Sequence, residues 1–354
     1  MPDQNVLSAR KSDHIQLTDQ AQAHGQKADQ RFHYEPLFGR HPENPAQLVD
    51  QKWGGEFFGK KMRAPLWISS MTGGTKEAGV INQRLARAAK QYGLGMGLGS
   101  CRAYLENPKQ NLADFDLRPL IGSQAPLLGN LGIAQIEKLL KEKKSQAITD
   151  MVGELDLDGL IVHLNPLQEW FQPEGDLLVR PAIETLEELL RNVEIRLIVK
   201  EVGQGMGPRS LKALLQLPLY GLDLGAYGGT NFSKLELMRQ QSPEKSFFVE
   251  LTQVGHDAES MVEFLNELMV ELGPKCLVNE FILSGGIQSF MQGHYLLSRF
   301  KGKAIYGYAK KFLDAANLGE QSLNTFIEQE LTGLAIASEF LTATTPINNS
   351  GLKR

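Results

Sequence analysis

Several short stretches carry side chains that do chemistry, and most of them follow an apolar run. His163-Leu164-Asn165-Pro166-Leu167-Gln168-Glu169 brings an imidazole, two amides and a carboxylate close together. Gln168 and Glu169 are neighbours, so their side chains diverge. One can face a substrate while the other faces a metal, and a single carboxylate completed by water and substrate oxygens is how Mg2+ is usually held. As a bare pair Gln-Glu is a weak motif that a solvated strand end would also explain; the His and Asn before it give it weight. Lys200 sits inside Leu197-Ile198-Val199-Lys200-Glu201-Val202, and an ammonium among buried neighbours needs a partner or a ligand. Gly228-Gly229-Thr230 and Gly285-Gly286 let backbone approach an anion closely and turn N–H groups toward it. One such pair is as readily a tight turn; two of them, both late in the chain, favour phosphate binding. Arg10-Lys11 beside Asp13-His14 is on its face a solvated charge run, whereas Arg102 follows the glycine-rich run Gly93–Gly99.

These residues need a frame. Eight apolar runs recur, at 64–70, 93–99, 126–131, 159–165, 196–202, 219–226, 277–284 and 304–309. Each is too apolar to leave one face wet, as strands of a parallel sheet must be. Amphipathic stretches lie between most of them, at 78–92, 133–144, 183–192, 258–272 and 290–299, and a helical pattern at 320–342 packs outside. The expected fold is α/β, a (β/α)8 TIM barrel with an irregular N-terminal extension. Residues 1–60 form an arm and extension contributing to the active site, and 61–345 the barrel as a single domain. A doubly wound sheet is the runner-up, but Gly93–Gly99 reads G-x-G-x-G-x-G and lacks the dinucleotide fingerprint. Polar and glycine-rich signals cluster after the strands, at the end where barrels carry their chemistry. Gly54–Lys61 is a failed P-loop, with Lys61 where Ser or Thr is required. No G-x-S-x-G elbow is present.

Charge and composition narrow the partners. Lys+Arg 37 against Asp+Glu 41 gives a net charge of −4, so no global field attracts nucleic acid or an anionic membrane. No apolar run approaches ~18 residues. The first residues lack the apolar core of a secretory signal, and two distant cysteines make neither a disulfide scaffold nor a zinc site. A cytoplasmic protein is expected.

With this frame in place, a family likeness emerges. Arg10-Lys11-Ser12-Asp13-His14-Ile15, then Ser69-Ser70-Met71-Thr72-Gly73-Gly74, Gly99-Ser100-Cys101-Arg102, the His163–Glu169 run, Pro173-Glu174-Gly175-Asp176 and Val199-Lys200-Glu201-Val202-Gly203 resemble the type 2 isopentenyl-diphosphate isomerases. The likeness spans about Arg10 to Leu313. It implies an FMN-binding barrel interconverting isopentenyl and dimethylallyl diphosphates for isoprenoid synthesis. The cofactors would be reduced FMN and Mg2+, with NADPH as reductant, in a homo-oligomer of four or more chains. By this resemblance Met71, Thr72, Gly73, Ser100, Asn130, Lys200, Thr230, Gly285, Gly286, Tyr308 and Ala309 contact FMN. Arg10, Lys11 and Arg102 hold the diphosphate, with Ser100, His163 and Asn165 lining the substrate site. Gln168 faces the allylic carbons as the catalytic residue, and Glu169 binds the metal.

The chain departs from the family pattern in places. Gly203-Gln204-Gly205-Met206-Gly207 lacks an expected Ser, and Gln288 stands where Arg is common. Lys310 or Lys311 can restore the missing charge. Two alternatives stay open: a flavin-dependent 2-hydroxy-acid oxidase, disfavoured because no His or Arg lies between Gly225 and Arg239, and a flavin- or phosphate-binding barrel without catalysis.

Overall fold

Leucine, isoleucine and valine in unbroken runs pair side by side and bury both faces. In the computed structural model of the chain, which describes residues 4–23, 25–70, 76–239 and 243–344, eight such segments form a closed parallel barrel. They are β1 (Leu66–Ile68), β2 (Gly95–Gly97), β3 (Leu127–Gly132), β4 (Gly159–Leu164), β5 (Leu197–Glu201), β6 (Gly221–Asp223), β7 (Glu280–Ser284) and β8 (Lys303–Tyr308). Their order around the barrel follows the chain, with β8 pairing back onto β1. Every expected strand is present, its ends shifted by a few residues.

The helices between strands present an apolar stripe inward. In Ile133–Lys141 the buried residues include Ile133, Ile136 and Leu140, with Lys138 and Lys141 in the last turn, where cations suit the helix dipole. Ala258–Leu272 is capped by Asp257, whose side chain accepts from the Ser260 N–H. Helices not foreseen, such as Pro108–Phe115, Pro208–Leu215 and Lys310–Leu318, are only about two turns long, too short to repeat their apolar spacing.

Two apolar clusters result. The larger lies between strands and helices. The smaller fills the barrel: Ile161, Ile198, Ile282 and Ile305 project from β4, β5, β7 and β8, beside Trp67 and Leu128. Branched residues from successive strands form such layers. A hairpin, Gly55–Phe57 against Lys60–Met62, closes the N-terminal end by burying Phe57 and Phe58 on this cluster. The Phe58 N–H donates to Glu280 Oε2 (2.7 Å), and Lys60 and Arg118 each approach Asp158 to 2.7 Å. Only the C-terminal end of the barrel is left to carry a site.

The first 60 residues are less irregular than expected. They hold the helices Gln4–Leu17 and Pro45–Trp53, and a strand, Phe32–Tyr34, pairs with Leu341–Ala343 beside the C-terminal helix Glu320–Phe340. Asn44-Pro45 is a start signal for the second helix, an amide cap followed by Pro at the first position. Among the described residues no helix is long and apolar enough to cross a membrane.

Candidate active site

Register brings the polar residues of the strand ends into one row. Gly132 on β3 pairs with His163 on β4, His163 with Lys200 on β5, and Lys200 with Asp223 on β6. Neighbours in a parallel ladder point the same way, so an imidazole, an ammonium and a carboxylate share one layer. Lys200 Nζ donates to the Glu201 carbonyl (2.6 Å). Asp223 is fully buried and accepts from Ser284 Oγ, and its second oxygen has no partner among the described residues. Burial pushes its carboxyl up, while the charge of Lys200 pulls it back. His163 is the counterpart. Burial first, and Lys200 second, lower its imidazole to about 3. Asn130 uses its amide N–H on the Leu98 carbonyl (3.1 Å), so its oxygen faces His163 Nδ1 at 2.6 Å. That network assigns the proton to Nδ1 and leaves Nε2 an acceptor.

A cavity of about 340 Å³ opens beside this row, lined by Lys200, Gly228, Gly229, Thr230, Gly285, Gly286, Tyr308, Ala309, Lys310 and Lys311, with Ser69 and Ser70 on its β1 side. The two glycine pairs meet here. A Cβ on Gly229 would sit 3.0 Å from Gly286 N, and one on Gly285 would sit 2.1 Å from Ala226 N. Gly285 and Gly286 have φ of +87° and +70°, a region that costs any other residue about 1–3 kcal/mol. Their N–H groups carry no hydrogen bond among the described residues, and neither do the hydroxyls of Ser69 and Ser70. Free backbone donors, orphaned hydroxyls and two lysines suit a phosphate group, as an FMN would bring. Lys310 is paired with Asp314 (2.5 Å). Lys311 reaches the Gln288 carbonyl and lies 5.4 Å from the Tyr308 ring centre.

A second cluster sits at the end of β4. Pro166 starts the helix Pro166–Phe171, which carries Gln168 and Glu169. Glu169 is buried; Asn165 Nδ2 donates to its Oε1 (2.9 Å) and the Asp176 N–H to its Oε2 (2.8 Å). Arg102 bonds Asp176 (2.9 Å) and Glu106 (2.8 Å), which hold its guanidinium charged, with Glu169 adding to the field. No group of three metal-ligating side chains occurs among the described residues. The donor set therefore suits a cation only when a ligand supplies further oxygens, Glu169 being the anchor and Asn165 Oδ1, buried without a partner, lying nearby. Asn165 and Gln168 line a further cavity of about 240 Å³ with Glu201, Gln204 and His256, and Val202 borders both cavities.

The expected residues thus fall into three groups. Lys200, Thr230, Gly285, Gly286, Tyr308 and Ala309 share the first cavity; Asn165 and Gln168 share the second, with Glu169 and Arg102 behind. Asn130 and His163 pair between strands β3 and β5, and neither lines these two cavities. Ser100 is exposed, its hydroxyl receiving the Arg102 N–H at 3.4 Å. Met71, Thr72 and Gly73 lie outside the described residues. Arg10 and Lys11 are exposed on the helix Gln4–Leu17 and have no partner among the described residues. Asp223 and Ser284 were missed. The signal for Asp223 was the one used for Lys200, a charge inside an apolar run, Gly221-Leu222-Asp223-Leu224.

No protein-family model matches the chain. It is 31% identical to an isopentenyl-diphosphate delta-isomerase of Rickettsia felis over 334 residues, 94% of this chain and 92% of that protein. It is 33% identical to one of Synechococcus over 338 residues, again 94% and 92%. Among solved structures it is similar to a mandelate oxidase variant with a monooxide FMN adduct (TM-score 0.53, 13% identity, 89% and 88% of the two chains). It is also similar to a flavocytochrome b2 variant with sulfite bound (TM-score 0.58, 15% identity, 86% and 70%). Likeness at such identities is one of fold.

Proposed function

The chain belongs to the isopentenyl-diphosphate delta-isomerase family, and from that premise we propose that it interconverts isopentenyl and dimethylallyl diphosphates with FMN and Mg2+. The observation that carries this reading is the adjacency of two cavities across Val202, one suited to a flavin phosphate and one bearing Gln168.

Moving the double bond adds a proton at one carbon and removes one from another. Reduced FMN, when bound, supplies a negatively charged ring system and an exchangeable proton for that chemistry, with NADPH as the source of reducing equivalents. Gly285, Gly286, Gly229 and Lys311 would hold its phosphate, Lys200 the ring. Glu169 would anchor Mg2+, and Arg102 the diphosphate alongside it, joined by Arg10 and Lys11 when the helix that carries them meets substrate. Gln168 contributes an uncharged amide next to the carbon skeleton. It orients the alkene without the strong acid or base that would compete for protons. His163, neutral and with Nε2 free to accept, leaves Lys200 as the cation of the row. The working form in this reading is a cytoplasmic homo-oligomer, a tetramer or larger, with a small-molecule diphosphate as substrate and no nucleic-acid or membrane partner.

Gln168→Ala tests the assignment. Turnover is expected to fall by about 100-fold or more while FMN remains bound. Turnover within a few-fold of the parent enzyme would remove Gln168 from the reaction.

A further inference from the structure

Gln204 stands in the glycine-rich stretch Gly203–Gly207, and every polar atom it owns is engaged. Its side-chain Nε2 donates to the carbonyls of Leu251 (3.1 Å) and Val254 (2.8 Å). Its Oε1 accepts from Ser233 Oγ at 2.7 Å. The backbone N–H joins those of Gly203 and Gly205 around Glu201 Oε2, at 2.6–2.9 Å, and the carbonyl receives the His256 N–H at 2.8 Å. One residue therefore ties the end of β5 to the helix Phe232–Arg239 and to the segment Pro243–Gln253 and its continuation. Other ties to that segment are Asn231 Nδ2 on the Thr252 carbonyl (2.6 Å) and the Tyr227 N–H on the His256 carbonyl (2.8 Å).

The segment so fastened has two ring anchors, Phe248 on Phe171 (6.1 Å between ring centres) and His256 on Phe264 (5.4 Å), and few others. Phe247, Leu251 and Val254 are exposed. Yet Val254, Gly255 and His256 are one wall of the cavity that Gln168 and Asn165 line from the other side. Between these two ring contacts the wall is placed by hydrogen bonds. From this we infer that Gln204 is a positioning residue for the substrate cavity: it sets where the Val254–His256 wall stands opposite Gln168. The role needs two donors and one acceptor at the end of a two-methylene stem. Glutamate offers no donor, methionine neither donor nor strong acceptor, and asparagine is one methylene short.

This inference rests on reading that cavity as the substrate site, so the test separates the two. In FMN-loaded full-length protein, Gln204→Met and Gln204→Glu are compared with the parent by hydrogen exchange and by steady-state kinetics with isopentenyl diphosphate and Mg2+. Losing two or three hydrogen bonds should speed amide exchange across 247–256 about 10-fold to 100-fold while barrel strands stay protected. KM should rise about 10-fold, with kcat within about 3-fold and FMN affinity unchanged. Ser233→Ala, which deletes one of the bonds and leaves the two donors of Gln204 in place, should fall between parent and Gln204→Met on both readouts; it guards against a variant that fails to fold. Unchanged exchange overturns the inference, and so does faster exchange with unchanged KM, which would make Gln204 a structural clamp alone. Parent protein without turnover would sink the isomerase reading instead, leaving the tie itself judged by exchange.

Discussion

Gly285→Ala is the sharpest probe of the cradle. Gly285 has φ +87°, and its added Cβ would lie 2.1 Å from Ala226 N and 2.2 Å from Ala226 O. Both are backbone atoms of the segment after β6, so no side chain can swing away. Relief requires the ends of β6 and β7 to part, which strains the Ala226 N–H to Ser284 carbonyl bond (2.9 Å) and the Gly225 N–H to Ser284 Oγ bond (3.1 Å). A non-glycine residue in this region costs about 1–3 kcal/mol, and two weakened hydrogen bonds about 1 kcal/mol each, so roughly 3–5 kcal/mol is expected. Against a total of about 5–15 kcal/mol, the loss is large. Urea unfolding of the apoprotein, followed by tryptophan fluorescence, measures it, and flavin fluorescence quenching on the surviving folded protein should show weakened FMN binding. Gly153→Ala is the control: it lies in the helix Gln146–Glu154 with open space where its Cβ would go, and should gain about 0.5–1 kcal/mol. A Gly285→Ala protein within 1 kcal/mol of its parent, with parental FMN affinity, would refute the cradle.

Other outcomes follow from the same geometry. The folded protein holds His163 near 3, below its unfolded value of about 6.5. Its contribution to stability is therefore complete above pH 6.5 and is lost as pH falls toward 3, by up to about 1.4 kcal/mol per pH unit; denaturation at stepped pH should show this slope flattened in His163→Gln. Asp158→Ala removes the 2.7 Å contacts of both Arg118 and Lys60 and leaves Arg118 with Asp156 at 3.4 Å and three carbonyls; it should cost about 2–3 kcal/mol in urea unfolding without altering FMN affinity, since it acts at the closed end of the barrel. Lys311→Ala should weaken FMN about 10-fold in a fluorescence titration, whereas Lys310→Ala, whose charge is already matched by Asp314, should change it less than about 3-fold.

What the sequence revealed follows from how locally each feature is determined. Apolar runs identify β3, β4, β5 and β7 because a strand buried on both faces shows no polar alternation, and its polar residues fall at its ends. Lys200 stood out as a charge where burial forbids one. The glycine pairs were legible as turns, but their contact with each other comes from β6 and β7 being neighbours, which no local pattern encodes. Asp223 could have been found by the rule applied to Lys200; its pairing with Lys200 needed the register. Gln204 could not be found at all, since glutamine in a glycine-rich loop looks solvated until four distant groups converge on it. The arm bearing Arg10 and Lys11 was read from a resemblance, and its exposed helix leaves that role to experiment.

In the proposed function, one barrel mouth joins a cavity for a flavin to a site for a diphosphate and serves a double-bond shift. Incubating the FMN-loaded, reduced protein with Mg2+ and isopentenyl diphosphate tests it most directly, with product resolved by chromatography after phosphatase treatment. Dimethylallyl diphosphate should form, and only when FMN, reductant and Mg2+ are all present. No product under those conditions, or a flavin bleached instead by 2-hydroxy acids, would contradict the account.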